Sequence, residues 1–200
     1  KNYSVPKFSH LLVAPFNLRA KLYSLINREI RNAKAGKPAE IFIKLNNLVD
    51  EDFIERLYTA SKAGVKIRLI VRGICSLIPQ QPIYSEHIEA ISIVDRFLEH
   101  TRVFVFHNEG KPEVFIGSAD LMTRNLDYRI EVVVPIEADK LKKQLLKIMA
   151  LQWSDNVKTR LFNDTQSNAF KTVMPQEKLV RSQNAIYDFW KEFSVGGKKK

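Results

Sequence analysis

Apolar positions recur along the chain in two periods, and the switches between them mark its elements. Over residues 17–35 they fall at Leu18, Leu22, Leu25, Ile26 and Ile30, a spacing that lays one stripe along a helix. Gly36 and Pro38 stop it. The run Glu40-Ile41-Phe42-Ile43-Lys44-Leu45 predicts a buried strand. Asp50 stands as the N-cap of a second helix whose inner face is Phe53, Ile54, Leu57 and Tyr58, ended by Gly64. Residues 66–72 form the next strand, closed by Gly73. Strand, helix and strand in so short a stretch predict a βαβ unit with a parallel pair.

Further on, Pro79, Pro82 and a loss of period predict an ordered loop over residues 75–90. Four stretches rich in Val, Ile and Phe then read as strands: residues 91–94, 102–106, 112–117 and 129–135. Asn108-Glu109-Gly110 is the hairpin turn between the second and third. Residues 138–153 predict a helix that buries Leu141, Leu145, Ile148 and Met149. A Pro- and Asn-rich passage follows over 155–175, then a last helix over 176–193. Trp153, Tyr187, Phe189 and Trp190 lie at helical spacing and read as core or interface, not as base-stacking platforms. Residues 10–15 are a short strand. The fold class is α/β, a mixed sheet flanked by helices. Residues 1–16 read as the end of a preceding domain, 17–195 as one domain and 196–200 as a basic tail.

Composition sharpens this picture in three ways. With 200 residues, 45% of them hydrophobic, the chain can bury roughly 70% of its unfolded surface without staples. Lys and Arg outnumber Asp and Glu by 32 to 22, a net +10, and the tail Lys198, Lys199 and Lys200 carries only three of those charges. A basic folded part suits an anionic partner: nucleic acid, anionic lipid, nucleotide or a phosphate polymer. The single cysteine, Cys75, excludes an intrachain disulfide framework and a cysteine zinc site, and fits a reducing compartment. Cys75 itself reads as a packed loop residue. No apolar run approaches the ~20 residues of a membrane helix. The chain begins with Lys, shows no signal peptide, and reads as a piece of a longer protein.

The candidate chemistry gathers at one hairpin. His100 and Arg102 open the strand over 100–106, and alternate residues of a strand share a face. The hairpin returns so that Gly117, Ser118 and Asp120 lie near them, followed by Arg124 and Asn125, with Arg129 opening the next strand. Histidine titrates near neutrality and serves as nucleophile or as general acid and base. Arginine forks hold non-bridging phosphate oxygens. A Gly-Ser turn lets backbone amides approach a phosphate, and Asp120 can fix the tautomer of the imidazole. Arg72 follows a buried strand, where ligands meet α/β sheets, and is a second phosphate candidate. Lys44 ends the first strong strand and stands equally as ligand or structural cation. Arg124 and Arg129 stand equally as phosphate ligands or as ion-pair partners of Asp120 or Asp127. His87 and His107 lie in turns and read as surface residues.

The pattern His-x-Arg followed by Gly-Ser-x-Asp resembles the His-x-Lys and Gly-Ser-x-Asn signature of the phospholipase D superfamily. Arg102 stands where Lys is usual and Asp120 where Asn is usual, the form found in polyphosphate kinases. Other stretches resemble the same family: Lys44 to Asp50, Leu57 to Val65, Leu69 to Pro79, Ile93 to His100, and Ser118 to Arg129. The likeness covers roughly residues 9–192 and implies a phospholipase D-like catalytic domain. Such enzymes build their site from two related domains, and the first carries, in a His-x-Gly-Thr-Gly-Asn segment, the His that ATP phosphorylates. That segment does not occur here; His10, in Phe8-Ser9-His10-Leu11-Leu12, resembles the stretch after the first domain. The family's second catalytic His matches His100 and its nucleotide-phosphate Arg matches Arg72.

The resemblance thus implies the second half of a site that moves the terminal phosphate of ATP reversibly onto inorganic polyphosphate. His100 is then the acid–base partner of a nucleophile carried elsewhere, and the isolated chain is expected to be inactive or nearly so. Mg²⁺ is expected, with its ligands in the upstream domain. Expected partners are ATP or ADP, polyphosphate, that upstream domain, and further copies of the full-length protein; nucleic acid is not expected. The expected location is cytoplasmic, or peripheral to the membrane. Two other readings compete: a phospholipase D-type phosphodiesterase or nuclease half-site, against which Arg102 and Asp120 argue, and a polyanion-binding module without catalysis.

Overall fold

A computed structural model describes residues 6–196 and the side chains of residues 6–192. The lysines of the basic tail lie outside them. The strands are β1 (Leu12–Ala14), β2 (Glu40–Leu45), β3 (Lys66–Val71), β4 (Ile88–Ile93), β5 (Arg102–Phe106), β6 (Glu113–Gly117), β7 (Glu131–Ile136) and β8 (Thr159–Phe162). The helices are α1 (Leu18–Lys34), α2 (Glu51–Lys62), α3 (Asp139–Trp153) and α4 (Ser182–Gly196). All the strands join one mixed sheet in the order β1-β7-β6-β5-β2-β3-β4-β8. The expected α/β class and the βαβ unit β2-α2-β3 are therefore present, with Glu40 to Leu45 paired in parallel against Lys66 to Val71.

Alternation along β2 creates two cores. Ile41, Ile43 and Leu45 face α1 and α2, where Leu18, Leu22, Ile26, Phe53 and Leu57 meet them. Each of these buried side chains contributes about 1.5–3 kcal/mol relative to exposure. Phe42 faces the other way and joins Ile70, Val103, Val105 and Met149 against α3. Its ring meets Trp153 edge-on at 5.5 Å, so Trp153 packs half-buried against this core, while Tyr187 and Trp190, read with it as core or interface, are exposed. Asp50 caps α2 by accepting the Phe53 amide at 3.0 Å. Gly64, with φ +92°, lets the chain leave that helix in a left-handed conformation that glycine adopts freely.

The structure departs from the periodic reading where polar residues hide an element. β4 begins at Ile88, inside the expected loop, because Glu89 interrupts the apolar run although Ile88 and Ala90 are buried. β8 lies in the Asn-rich passage and pairs antiparallel with β4. It is an edge strand with mostly half-buried residues, so no alternation marks it. The last helix starts at Ser182, not near 176, because the Asp155 carboxylate accepts the Ser182 amide at 2.7 Å. Leu141, expected inside α3, is half exposed; Met149 and Gln152 are the buried residues of that helix. The segment assigned to the end of a preceding domain contributes β1, which pairs with β7.

Strand direction decides where chemistry can occur. β2, β3 and β4 run parallel, β5 and β8 run against them, β6 runs against β5, and β7 runs against β6. The ends of β2, β3, β4 and β6 and the starts of β5, β7 and β8 therefore share one edge of the sheet. Every sequence-predicted site residue lies at or beside that edge.

Candidate active site

Arg102 organises the cleft. Its Nε and Nη2 meet the Asp120 carboxylate at 3.1 and 3.2 Å, a two-pronged pair that is nearly buried on both sides. Its Nη1 donates to the His100 carbonyl at 2.9 Å and lies 3.0 Å from His100 Nδ1. A guanidinium only donates, so Nδ1 accepts, and a neutral ring carries its proton on Nε2. Arg102, not Asp120, thus sets the tautomer of His100, which corrects the role expected for the carboxylate. His100 itself precedes β5 rather than opening it.

Asp120 has a different task. It accepts the Asn46 amide at 2.8 Å and the Asn47 side chain at 3.0 Å, besides Arg102. Burial works to raise its carboxyl, but Arg102 and the two asparagines outweigh burial and hold it below the usual carboxylate range. Nearby, Ser118 donates to Glu131 and Asn125 donates to the other oxygen of Glu131 at 2.6 Å. Glu131 is buried at the start of β7 and ties the Gly-Ser turn to the segment after it.

That segment is pinned from below. Leu121 bonds with the backbone of Asn47, Val49 and Asp50 at 2.9 to 3.1 Å. Asp50 also accepts Thr123 Oγ1 at 2.9 Å, and Arg19 spans Asp50 and Asp127 at 2.7 and 2.6 Å. The partners expected for Arg124 and Arg129 are therefore taken: Asp120 by Arg102 and Asp127 by Arg19. Among the described residues neither guanidinium has a side-chain partner, and both line, with His100, Arg102, Ser118 and Asn125, a cleft of about 640 Å³. Asp120 and Glu131 also line the cleft, but they are held by Arg102 and by Ser118 and Asn125, so Arg124 and Arg129 suit an anion carrying several charges.

The family described as Polyphosphate kinase C-terminal domain 2 matches residues 11–183. This chain belongs to that family. It is 54% identical over 185 residues to the polyphosphate kinase of Vibrio cholerae, covering 92% of this chain and 26% of that protein. The crystal structure of polyphosphate kinase from Porphyromonas gingivalis superposes with a TM-score of 0.92 at 44% identity, over 95% of this chain and 29% of the other. Nuc from Salmonella typhimurium, a phospholipase D family member, shares the fold, with a TM-score of 0.56 at 16% identity over 76% of this chain and 96% of the other. The chain spans about a quarter of the length of the polyphosphate kinases it matches.

Within this domain the other candidates fall apart from the cleft. Lys44 is on the α3 side of the sheet, buried, with its ammonium 2.7 Å from Glu99. Burial pushes its pKa down, with Glu99 opposing. It is a structural cation rather than a ligand of the cleft. Glu99 also accepts Gln152 at 2.9 Å and Gln183 at 3.2 Å, and Gln183 bonds both backbone groups of Phe97. The loop that delivers His100 is thus clamped by β2, α3 and α4. Arg72 lines a neighbouring hollow with Lys158 and Arg160. Its Nε donates to Asn46 Oδ1 at 2.8 Å, so Asn46 joins the two clefts.

The remaining expectations hold to plainer roles. His107 accepts the Gly110 amide in the hairpin turn, and His87 is exposed. Burial pushes the Cys75 thiol up to about 11, unsuited to a nucleophile. Sequence reasoning assigned nothing to Asn46, Asn47, Glu131, Glu99 and Gln183. Two polar residues directly after a buried strand, and a Glu opening one, were the only signals.

Proposed function

We propose that this domain supplies one half of the active site of a polyphosphate kinase, which transfers the terminal phosphate of ATP reversibly to inorganic polyphosphate. The carrying observation is the cleft where His100, its tautomer set by Arg102, faces the unpaired Arg124 and Arg129. In this reading a phosphohistidine forms on an upstream domain. His100 exchanges a proton with the reacting phosphate or its acceptor through Nε2. Arg102, Arg124 and Arg129 hold the non-bridging oxygens and the charge that grows on them during transfer. Ser118 is committed to β7, its amide donating to the Val132 carbonyl at 3.0 Å and its hydroxyl to Glu131, so it shapes the turn beside the anion and does not bind it.

The cleft does not fit Mg²⁺. Among the described residues no three His, Cys, Asp or Glu side chains cluster to hold a metal. Asp120 is committed to Arg102 and Glu131 to Ser118 and Asn125. In this reading the phosphates and residues outside this domain would hold Mg²⁺ and balance the charge of transfer. Among the described residues no helix is long and apolar enough to cross a membrane. ATP, ADP, polyphosphate and the upstream domain are the partners this reading requires.

The test is a chimera in which this chain replaces the matching C-terminal part of the Vibrio cholerae polyphosphate kinase. Polyphosphate synthesis from ATP is measured for the parent, His100→Ala and His107→Ala. Synthesis that persists in the parent and in His107→Ala but falls at least about a hundredfold in His100→Ala supports the acid–base role. Undiminished synthesis in His100→Ala contradicts it. Turnover of a phosphodiester without polymer would move the site to the phospholipase D-type reading.

A further inference from the structure

The hollow beside the His100 cleft holds two cations to which sequence reasoning gave no role. Arg72, Ser92, Lys158, Arg160, Asn168 and Phe170 line a space of about 460 Å³, and no carboxylate lines it. The β4–β8 register sets Arg160 opposite Ser92. The Arg160 guanidinium lies 3.9 Å from the centre of the Phe170 ring and donates to the Asn168 carbonyl at 2.8 Å. Stacked and tethered, it is held in place before any ligand arrives, which lowers the cost of binding. Arg72 uses only its Nε on Asn46 and leaves both terminal nitrogens as donors. Asp95 is the carboxylate that feels Lys158, but its oxygens are taken by Arg181 at 2.8 Å and closer.

Geometry relates this hollow to the first cleft. β5, β2, β3, β4 and β8 are successive neighbours in the sheet. Arg102 opens β5, Arg72 follows β3 and Arg160 lies in β8. At about 4.8 Å per strand step, Arg72 stands about 10 Å and Arg160 about 19 Å along the edge from Arg102. The cations thus form a track across the sheet edge, longer than a triphosphate can span.

We propose that Lys158 and Arg160, beyond the nucleotide-phosphate candidate Arg72, form a second phosphate subsite, which takes the trailing part of an extended polyphosphate chain whose reacting end lies at His100. This rests on the polyphosphate reading above and adds to it a residue set that favours long chains over short ones. A long chain occupies both sites at once and gains through effective concentration. Tripolyphosphate occupies the His100 cleft alone.

Titration of this chain with a long linear polyphosphate and with tripolyphosphate, at several salt concentrations, tests the proposal. The parent is expected to bind the long chain at least about tenfold more tightly than tripolyphosphate. Lys158→Ala with Arg160→Ala is expected to lose most of that advantage, and its slope of log affinity against log salt should fall by about two. Lys158→Arg with Arg160→Lys keeps the charges and should keep the advantage. Lys143→Ala with Lys147→Ala removes the same charge from exposed positions of α3 and should change little. The subsite is overturned if the double alanine variant keeps the full advantage, if the α3 pair weakens long-chain binding as much, or if the parent binds both ligands equally. Binding of neither ligand by the parent overturns the polyphosphate reading itself.

Discussion

Gly117 leaves no room for a side chain. A Cβ there would lie 2.5 Å from the Val132 carbonyl and 2.8 Å from the Val133 Cα, both backbone atoms that cannot swing aside. Gly117→Ala should therefore destabilise the domain by about 1–3 kcal/mol in urea denaturation; an unchanged midpoint would contradict the packing at this turn. Asp120 sets a second test, through pH. Its carboxyl is held below the usual range, so the stability it contributes is fully present above the unfolded value near 4 and is lost as pH falls through the folded value. Asp120→Asn leaves Arg102 unpaired and nearly buried, and should cost about 3–5 kcal/mol at pH 7. That deficit should narrow as pH drops below about 4, because only the parent then loses its ion pair. Denaturation at pH 7 and pH 3 measures it, and an equal deficit at both would contradict the assignment.

The elements show why some of this was legible in the sequence and some was not. β2, α2, β3, β5 and β6 declare themselves through apolar period, an Asp cap and a turn, and the hairpin alone brings His100, Arg102, Ser118 and Asp120 together. Arg124, Asn125 and Arg129 follow because the next segment must return to the same edge. The clamp on the His100 loop leaves no such mark, since Lys44, Glu99, Gln152 and Gln183 come from distant parts of the chain and meet only after folding. β8 is hidden for a related reason: half-buried Arg160, Leu161 and Phe162 have no alternation. The clamp carries a prediction at its own scale. In the chimera, Gln183→Leu frees Phe97 and Glu99 from α4 and lets His100 drift. Turnover should fall about ten- to hundredfold with the KM for ATP little changed, since a small misplacement costs rate more than binding. A raised KM with unchanged turnover would make the clamp a binding device instead.

At the scale of the whole molecule, one edge of one sheet holds the chemistry while the opposite edge carries the tight hairpin turn of Asn108 and Glu109, both at positive φ. Arg72, Arg124, Arg129, Lys158 and Arg160 gather at the first of these edges and give it a field suited to a polyanion. In the proposed reading this chain, which spans about a quarter of its relatives, would supply donors and a proton carrier, and the nucleophile would lie in the remainder. The most direct test separates those two halves in time. The chimera is mixed with radiolabelled ATP and Mg²⁺, then chased with polyphosphate, and acid-labile label on the protein is followed beside label in the polymer. For His100→Ala the account predicts that label still reaches the protein but passes to the polymer at least about a hundredfold more slowly than in the parent. Transfer at the parental rate in His100→Ala would contradict it.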